Sequence, residues 1–332
     1  MRPLFVSVLG WLLATSLLAG EEHRVPRVRS EPLPHHQVSF LAGETEKTRW
    51  HFGADAPRPF FYPCNGPSGS SLTRMGHPGD AGHDHHRSIW FAHHDVGGLT
   101  FWADGKGTSI RQKTWFCYQD GDEESAMAVQ LGWVGPDGRE VLQQDLISVM
   151  RPMAEGEFTL ELQSLFRPGG DLPEIKLGKT NFGFLAVRVA KTISETFGGG
   201  LLTNSEGQTH EPAIFGQPAA WVDYSGPVAP SGKTEGITYF DHPSNPRFPS
   251  KWHVREDGWM GASFCMDEGF NITRDQPLRL RYLLHAHGGS LVVEKAREVQ
   301  SGFANRPALE MVEHQGKHGR WDIRRATASP TP

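Results

Sequence analysis

Polar and apolar residues alternate along much of this chain. Over residues 157–166, Phe158, Leu160, Leu162 and Phe166 fall between polar Thr159, Glu161, Gln163 and Ser164, the period of two that a half-buried strand requires. Residues 184–190 and 278–285 predict two more strands. Gly135-Pro136-Asp137-Gly138 lies between two such segments and has hairpin chemistry, because proline presets φ and glycine accepts positive φ. Strands separated by turns along most of the chain predict an all-β fold, a large antiparallel β-sandwich. One segment near the C-terminus changes period. Leu291, Val292, Lys295, Val299 and Phe303 fall on one side of a helix over residues 291–304, with Ser290 as its cap.

The ends of the chain read differently. Arg2 precedes an almost wholly apolar run over residues 4–18, and the small residues Ala19 and Gly20 follow. This predicts a signal peptide over residues 1–20 and an exported protein, periplasmic or secreted. The run is too short for a good membrane span, and no later one approaches the roughly 18 apolar residues a span needs. Residues 21–35 are charged and proline-rich, which predicts a flexible lead-in. Residues 36–325 then form one β-sandwich domain, and residues 326–332 a disordered tail.

Composition narrows the function classes. Gly 38 and Pro 24 make up close to a fifth of the 332 residues, which suits a turn-rich β fold and argues against a helical bundle. A formal net charge of -5 gives no general electrostatic footprint for nucleic acid. Cys64, Cys117 and Cys265 are far apart and have neither zinc nor redox spacing. They read as buried structural thiols, and their pairing stays open.

Two segments carry candidate chemistry. Between His77 and Asp95 lie His83, His85, His86, His93 and His94 with Asp80 and Asp84. Imidazole moves protons near neutral pH and also binds metals, so both roles are open. A divalent metal at His83 and His85 is one expectation, although no fixed-spacing signature supports it. The segment leads into a strand over residues 88–92. The second segment starts at Asp241 and runs through Asn245 to Trp252, His253 and Arg255, stiffened by Pro243, Pro246 and Pro249. An indole to stack on, beside hydrogen-bond donors, suits a sugar or an anion, while a Trp that only anchors the loop is the plainer alternative. Tyr224, at a strand end, is either an acid–base group or a packed phenol. His285 and His287 close an apolar strand and read mainly as structural.

Three stretches together resemble a known family. They are residues 85–93, residues 221–226, and residues 241–246 with 252–255. In that order they resemble the bacterial family called "PmoA family" or DUF6807, over about residues 50–305. The family pattern before the paired histidines usually reads Asp-His-Pro-His-His-Arg-Ser. Here Gly82 and Asp84 replace the Asp and the Pro, which puts a role for an acid at position 82 in doubt and leaves Asp80 or Asp84 to substitute. The name suggests a methane monooxygenase subunit, but that subunit is a polytopic membrane protein, so methane oxygenase activity is not expected here. The resemblance implies a galactose-mutarotase-like supersandwich, a carbohydrate ligand, and relatives that accompany sugar-oxidising and glycoside-processing proteins.

The expected function is therefore an exported carbohydrate-active enzyme. His86, His253 and Tyr224 would transfer protons, while Arg87, Asp241, Asn245, Trp252 and Arg255 would bind the sugar. Elimination or epimerisation of an oxidised sugar suits these groups better than hydrolysis, which usually wants two facing carboxylates. Activity is expected to fall below about pH 6 if the base has an ordinary histidine pKa. His86 or Arg87 is expected in the same cleft as His253 or Arg255. The rival reading is a non-catalytic glycan-binding module on the same fold.

Overall fold

The computed structural model describes residues 24–317 and 319–327. The expected signal peptide lies outside the described residues. Two eight-stranded antiparallel sheets dominate the fold. The first contains, in spatial order, Val28–Leu33, Gln37–Ala42, Thr45–His51, Phe60–Cys64, Ile89–His93, Gly183–Arg188, Trp259–Ala262 and Trp252–Arg255. The second contains Leu201–Asn204, Trp221–Pro227, Thr234–Asp241, Leu278–Gly288, Phe158–Pro168, Glu140–Pro152, Ser125–Val134 and Ser109–Gln119. Inward residues of both sheets meet in one core. Phe91 and Phe184 of the first sheet touch Phe166 of the second, with ring centroids 6.3 and 4.8 Å away. This is the expected sandwich.

The outer face of the second sheet is also covered. Along Leu278–Gly288, residues Leu278, Leu280, Tyr282, Leu284 and Ala286 enter the main core. Leu283 packs outward beneath Ala296 and Phe303 of the helix Val293–Ala304, and the hairpin of Leu309–Glu313 and Trp321–Arg325 covers Ala128 and Ile147. Burying a Phe or Leu is worth about 1.5–3 kcal/mol each, so these elements tie down the C-terminal part of the chain. Among the described residues, no helix is long and apolar enough to cross a membrane.

Several local expectations need correction. The helix begins at Val293 with Val292 as its N-cap and no side-chain cap bond. Ser290 falls short of it because the chain is still leaving the turn at Gly289, whose φ is 74°. The expected lead-in over residues 21–35 contains a strand, Val28–Leu33, paired with Gln37–Ala42. Its charges conceal it, since Arg29 and Glu31 bond to each other at 2.8 Å on one face while Val28 and Ser30 are buried on the other. At the other end, the amide of Ala326 donates to the carbonyl of Ala308 at 2.8 Å, so ordered structure runs one residue into the expected tail. The hairpin turn at 135–138 forms as read, with Gly138 at φ 80°. Cys64, Cys117 and Cys265 are all free thiols, and burial raises each above its ordinary pKa.

Candidate functional site

The site lies on the outer face of the first sheet. Ser88 adopts a left-handed φ of 56°, so the strand starts at Ile89 rather than Ser88. From there Ile89 and Phe91 join the main core, while Trp90 and Ala92 join a separate cluster with Trp102, Ala186 and Trp259. A cleft of about 450 Å³ opens beside this cluster. Its walls are His83, His85, His86, His94 and His253, the rings of Trp102, Phe182 and Trp259, and the charged Arg188, Arg255 and Asp257. A pocket of this size suits a small organic ligand.

Strand alternation places His253. Its neighbours Trp252 and Val254 enter the main core, which turns His253 and Arg255 to the cleft side. His253 Nδ1 lies 3.0 Å from the carbonyl oxygen of Asn181. A carbonyl only accepts, so Nδ1 carries the proton and Nε2 keeps a lone pair. The ring is wedged between Phe182, Phe215 and Trp259 at 5.0, 5.4 and 5.7 Å. Burial first, and then the positive charge of Arg255, press its pKa down to about 3. His253 is a neutral imidazole.

His86 lines the same cleft. Its ring lies 5.6 Å from Trp90 at 26°, and 5.0 Å from Trp259. Nδ1 is buried with no hydrogen-bond partner among the described residues. Burial, the charge of Arg188 and the neighbouring imidazoles hold His86 neutral far below the ordinary histidine range.

The base of the cleft is an ion-pair network. Arg188 holds Asp257 with both terminal nitrogens, at 2.6 and 2.8 Å. His77 Nε2 is 3.0 Å from the same carboxylate, and Arg74 donates to the Asp257 backbone carbonyl at 2.6 Å. Burial alone would raise the Asp257 pKa, but Arg188 and His77 together hold it below the usual carboxylate value. Asp257 sits in the turn joining Trp252–Arg255 to Trp259–Ala262. Gly258 there has φ 103°, and a Cβ would come 2.9 Å from Val189 Cγ2, so the turn requires glycine. At the rim, Arg255 bonds Glu211 at 2.9 Å and lies over the ring of Phe215 at 4.6 Å.

The histidine loop is folded on itself. His83 ends a short 3₁₀ turn, Ala81–His83, and its Nδ1 contacts the Asp80 carboxylate at 2.7 Å. His85 Nδ1 contacts the carbonyl of Gly82 at 3.1 Å. The segment is thus not extended, and the ring centroids of His83, His85 and His86 lie 4.3 to 5.9 Å apart. Even so, among the described residues no three or more His, Cys, Asp or Glu side chains are arranged to hold a metal ion. His83 and His85 therefore stand near each other without a third ligand arranged beside them among the described residues.

Other expected site residues lie elsewhere. Arg87 turns away from the cleft to Asp104, at 2.7 Å, a carboxylate it shares with Arg58. The Tyr224 hydroxyl accepts from the amide of Glu195 at 2.9 Å and donates to the carbonyl of Glu256 at 2.8 Å. Burial raises its pKa well above the ordinary tyrosine value. Tyr224 ties two backbone segments together and is not among the residues lining the cleft. Asp241 accepts from Asn245 at 2.7 Å and from the amide of Ser250 at 2.9 Å, and Asn245 also bonds the backbone of Arg281. Both shape their own loop. Trp252 is fully buried, with its indole N–H on the carbonyl of Ala219 at 2.8 Å, so it cannot stack on a ligand. His285 and His287 lie on the second sheet, paired with Glu157 and Asp223.

Sequence reasoning passed over Trp259, Trp102, Phe182, Arg188 and Asp257. A signal for two of them was present. Asp257-Gly258 is a tight-turn dipeptide two residues after Arg255, and the hairpin it makes pairs Arg255 with Trp259. Nothing in the pattern tied Trp102, Phe182 or Arg188 to the cleft.

A family of unknown function, DUF6807, matches residues 37–301. The chain belongs to DUF6807. The matched span contains every residue of the cleft, from His83 to Trp259, so DUF6807 and the candidate site coincide along the chain. No curated protein matches it.

Proposed function

We propose that this DUF6807 protein is an exported carbohydrate-active enzyme that transfers protons in the cleft between His86 and His253. The observation that carries the reading is the pairing of two buried neutral imidazoles with indole and phenyl walls. Sugars present C–H faces that stack on aromatic rings, and hydroxyls that need donors and acceptors. Trp259, Trp102 and Phe182 supply the rings, while Arg188 and Arg255 supply N–H groups. His253 Nε2, with its lone pair, is the general base. A positioned base contributes about 10²–10⁴-fold to rate, and the low pKa of His253 puts it at the weaker end of that range. Among the described residues, the only carboxylate in the cleft walls is Asp257, tied to Arg188. That lack of a facing carboxylate pair favours proton transfer over glycoside hydrolysis.

The test is turnover against binding. Candidate sugars are screened for binding by calorimetry and for conversion by NMR, with the wild type and with His253→Asn. Conversion that falls at least 10²-fold in the variant, with affinity changed only a few-fold, supports the enzyme. Clear binding without any conversion by the wild type overturns it and leaves a glycan-binding module.

A further inference from the structure

We infer that His86 presents an Nε2–H donor to the same cleft as the Nε2 lone pair of His253, and that the substrate is a sugar carrying a carbonyl group. The inference rests on the proton-transfer reading above and assigns the two imidazoles different tasks.

The assignment begins with the buried side of His86. Its Nδ1 is buried and has no hydrogen-bond partner among the described residues. A proton there would be an orphaned N–H, and buried orphan donors are rare in folded proteins. The surroundings are already short of acceptors. Trp90 Nε1, Trp259 Nε1 and Arg188 Nε are themselves buried donors without partners among the described residues, and both indole rings pack against the His86 ring. A lone pair at Nδ1 adds no further unpaired donor to this region, whereas a proton there would. A neutral imidazole has one proton, so that proton sits on Nε2. Nε2 is the nitrogen left to the cleft that His86 lines. His253 is the mirror case, because Asn181 fixes its proton on Nδ1.

A neutral N–H is a weak acid but a good electrophile for a polarised oxygen. In one cleft with a lone-pair base, it matches proton abstraction from the carbon beside a carbonyl. His253 Nε2 takes the proton from that carbon, and the C–H electron pair becomes the carbon–carbon double bond. The carbonyl π pair moves onto oxygen, where the His86 N–H stabilises the enolate. Return of a proton from the His253 imidazolium to the same face, after exchange with solvent, restores the sugar with a solvent hydrogen on that carbon. Alternatively, the enolate re-forms the carbonyl and expels the oxygen substituent one carbon further on, which leaves with that proton. Neither outcome needs an oxidant or a reductant. A sugar without a carbonyl has no acidic C–H and gains nothing from the His86 donor.

Two measurements test this. Nitrogen-15 NMR of histidine-labelled wild type reads the tautomers directly, with His86 expected to be bare at Nδ1 and protonated at Nε2, and His253 the reverse. The monoketo derivatives of methyl β-glucoside and methyl β-glucoside itself are then incubated with the protein in D₂O. Deuterium should enter, or elimination occur, beside the carbonyl of at least one keto sugar and never in the parent. His86→Ala should slow that reaction about 10²–10³-fold, the usual loss for one oxyanion donor. His86→Gln, whose amide N–H reaches a similar position, should recover most of it. A protonated His86 Nδ1, or a glutamine variant as slow as the alanine one, overturns the assignment. Equal turnover of parent and keto sugars overturns the carbonyl requirement but leaves the proton-transfer enzyme standing. No turnover of any sugar, with the tautomers as expected, removes the functional reading and the carbonyl with it.

Discussion

The rings of His86 and His253 pack against one and the same indole, that of Trp259, at centroid distances of 5.0 and 5.7 Å. The two histidines come from distant parts of the chain, one from a loop and one from an edge strand. Trp259 therefore fixes their spacing and forms part of the cleft wall between them. Trp252, seven residues earlier, has the opposite role, since it is enclosed in the main core and packs on Tyr239 at 4.8 Å.

The two tryptophans should separate cleanly on mutation. Trp252→Ala should cost about 3–5 kcal/mol of stability, as large-to-small core substitutions do, read as a lower urea midpoint. Trp259→Ala should cost less stability and weaken sugar affinity by about 0.5–1.5 kcal/mol or more from lost stacking. If Trp252→Ala weakened binding while stability held, the inward placement of Trp252 would be wrong.

Tyr224 supplies a second check on the site. Its hydroxyl joins the amide of Glu195 to the carbonyl of Glu256. Tyr224→Phe should therefore lower stability by about 1–3 kcal/mol, the penalty for stranding buried polar partners. Turnover should stay within a few-fold of wild type. A 10²-fold loss of rate without loss of stability would restore Tyr224 as an acid or base.

These contrasts explain what the sequence could and could not convey. Alternation reveals strands such as Phe158–Pro168 because any half-buried strand must alternate. It does not say which face is which when both are covered. The outer face of the first sheet contains Trp90, Trp102 and Trp259 beneath the cleft, so an aromatic residue is no marker of the core here. Trp252 looked like a ligand platform because polar His253 and Arg255 follow it, and Trp259 went unnoticed because small and apolar residues follow it. The cleft depends on strand order, in which Gly183–Arg188 sits between Ile89–His93 and Trp259–Ala262. Local pattern does not encode that order. The pairing of His86 with His253 was legible, since both polar clusters are too rich to leave without a shared purpose.

The pH dependence should differ from that of an ordinary histidine enzyme. Burial, the leading cause in each case, lowers His253 to about 3 and His93, His242 and His285 to about 4, and puts His86 lower still. Unfolded histidine titrates near 6.5. Between that value and the folded ones, the unfolded chain binds protons that the folded protein refuses. Stability is thus fully present above about pH 6.5 and falls as the pH drops, by up to about 1.4 kcal/mol per pH unit for each histidine. Asp241, raised to about 6 by burial, and His287, raised by Asp223 against the cost of burial, oppose this trend. They are outnumbered. Urea midpoints measured from pH 7.5 to 4.5 should decline, and the decline should be shallower in His253→Asn. Turnover should not show the loss near pH 6 expected of an unperturbed base, because His253 stays neutral there. A rate that halves near pH 6.5 while the fold remains intact would contradict the buried, neutral base.

The last prediction concerns the second sheet, far from the cleft. Glu161 is buried on its outer face and accepts from Arg281 at 2.9 Å, Arg306 at 3.0 Å and Arg325 at 2.9 and 2.8 Å. Burial alone would raise its pKa, but Arg325 and Arg281 outweigh that and bring it to about 2. A depressed carboxylate stabilises the fold at pH values above its unfolded pKa, near 4.3, and the benefit is lost only as the pH falls through about 2. Arg306 and Arg325 belong to the C-terminal segment, so one carboxylate ties that segment to the strand Phe158–Pro168. Glu161→Ala leaves Arg281, which is almost wholly buried, without its counter-charge. Breaking a buried ion pair from one side costs about 3–5 kcal/mol. The loss should fall first on the covering hairpin. Amide exchange over Leu309–Glu313 should accelerate more than exchange over Ile89–His93, and sugar conversion should persist wherever the variant is folded. Uniform acceleration across both sheets would mean instead that Glu161 supports the whole sandwich and that the hairpin is not a separately releasable cover.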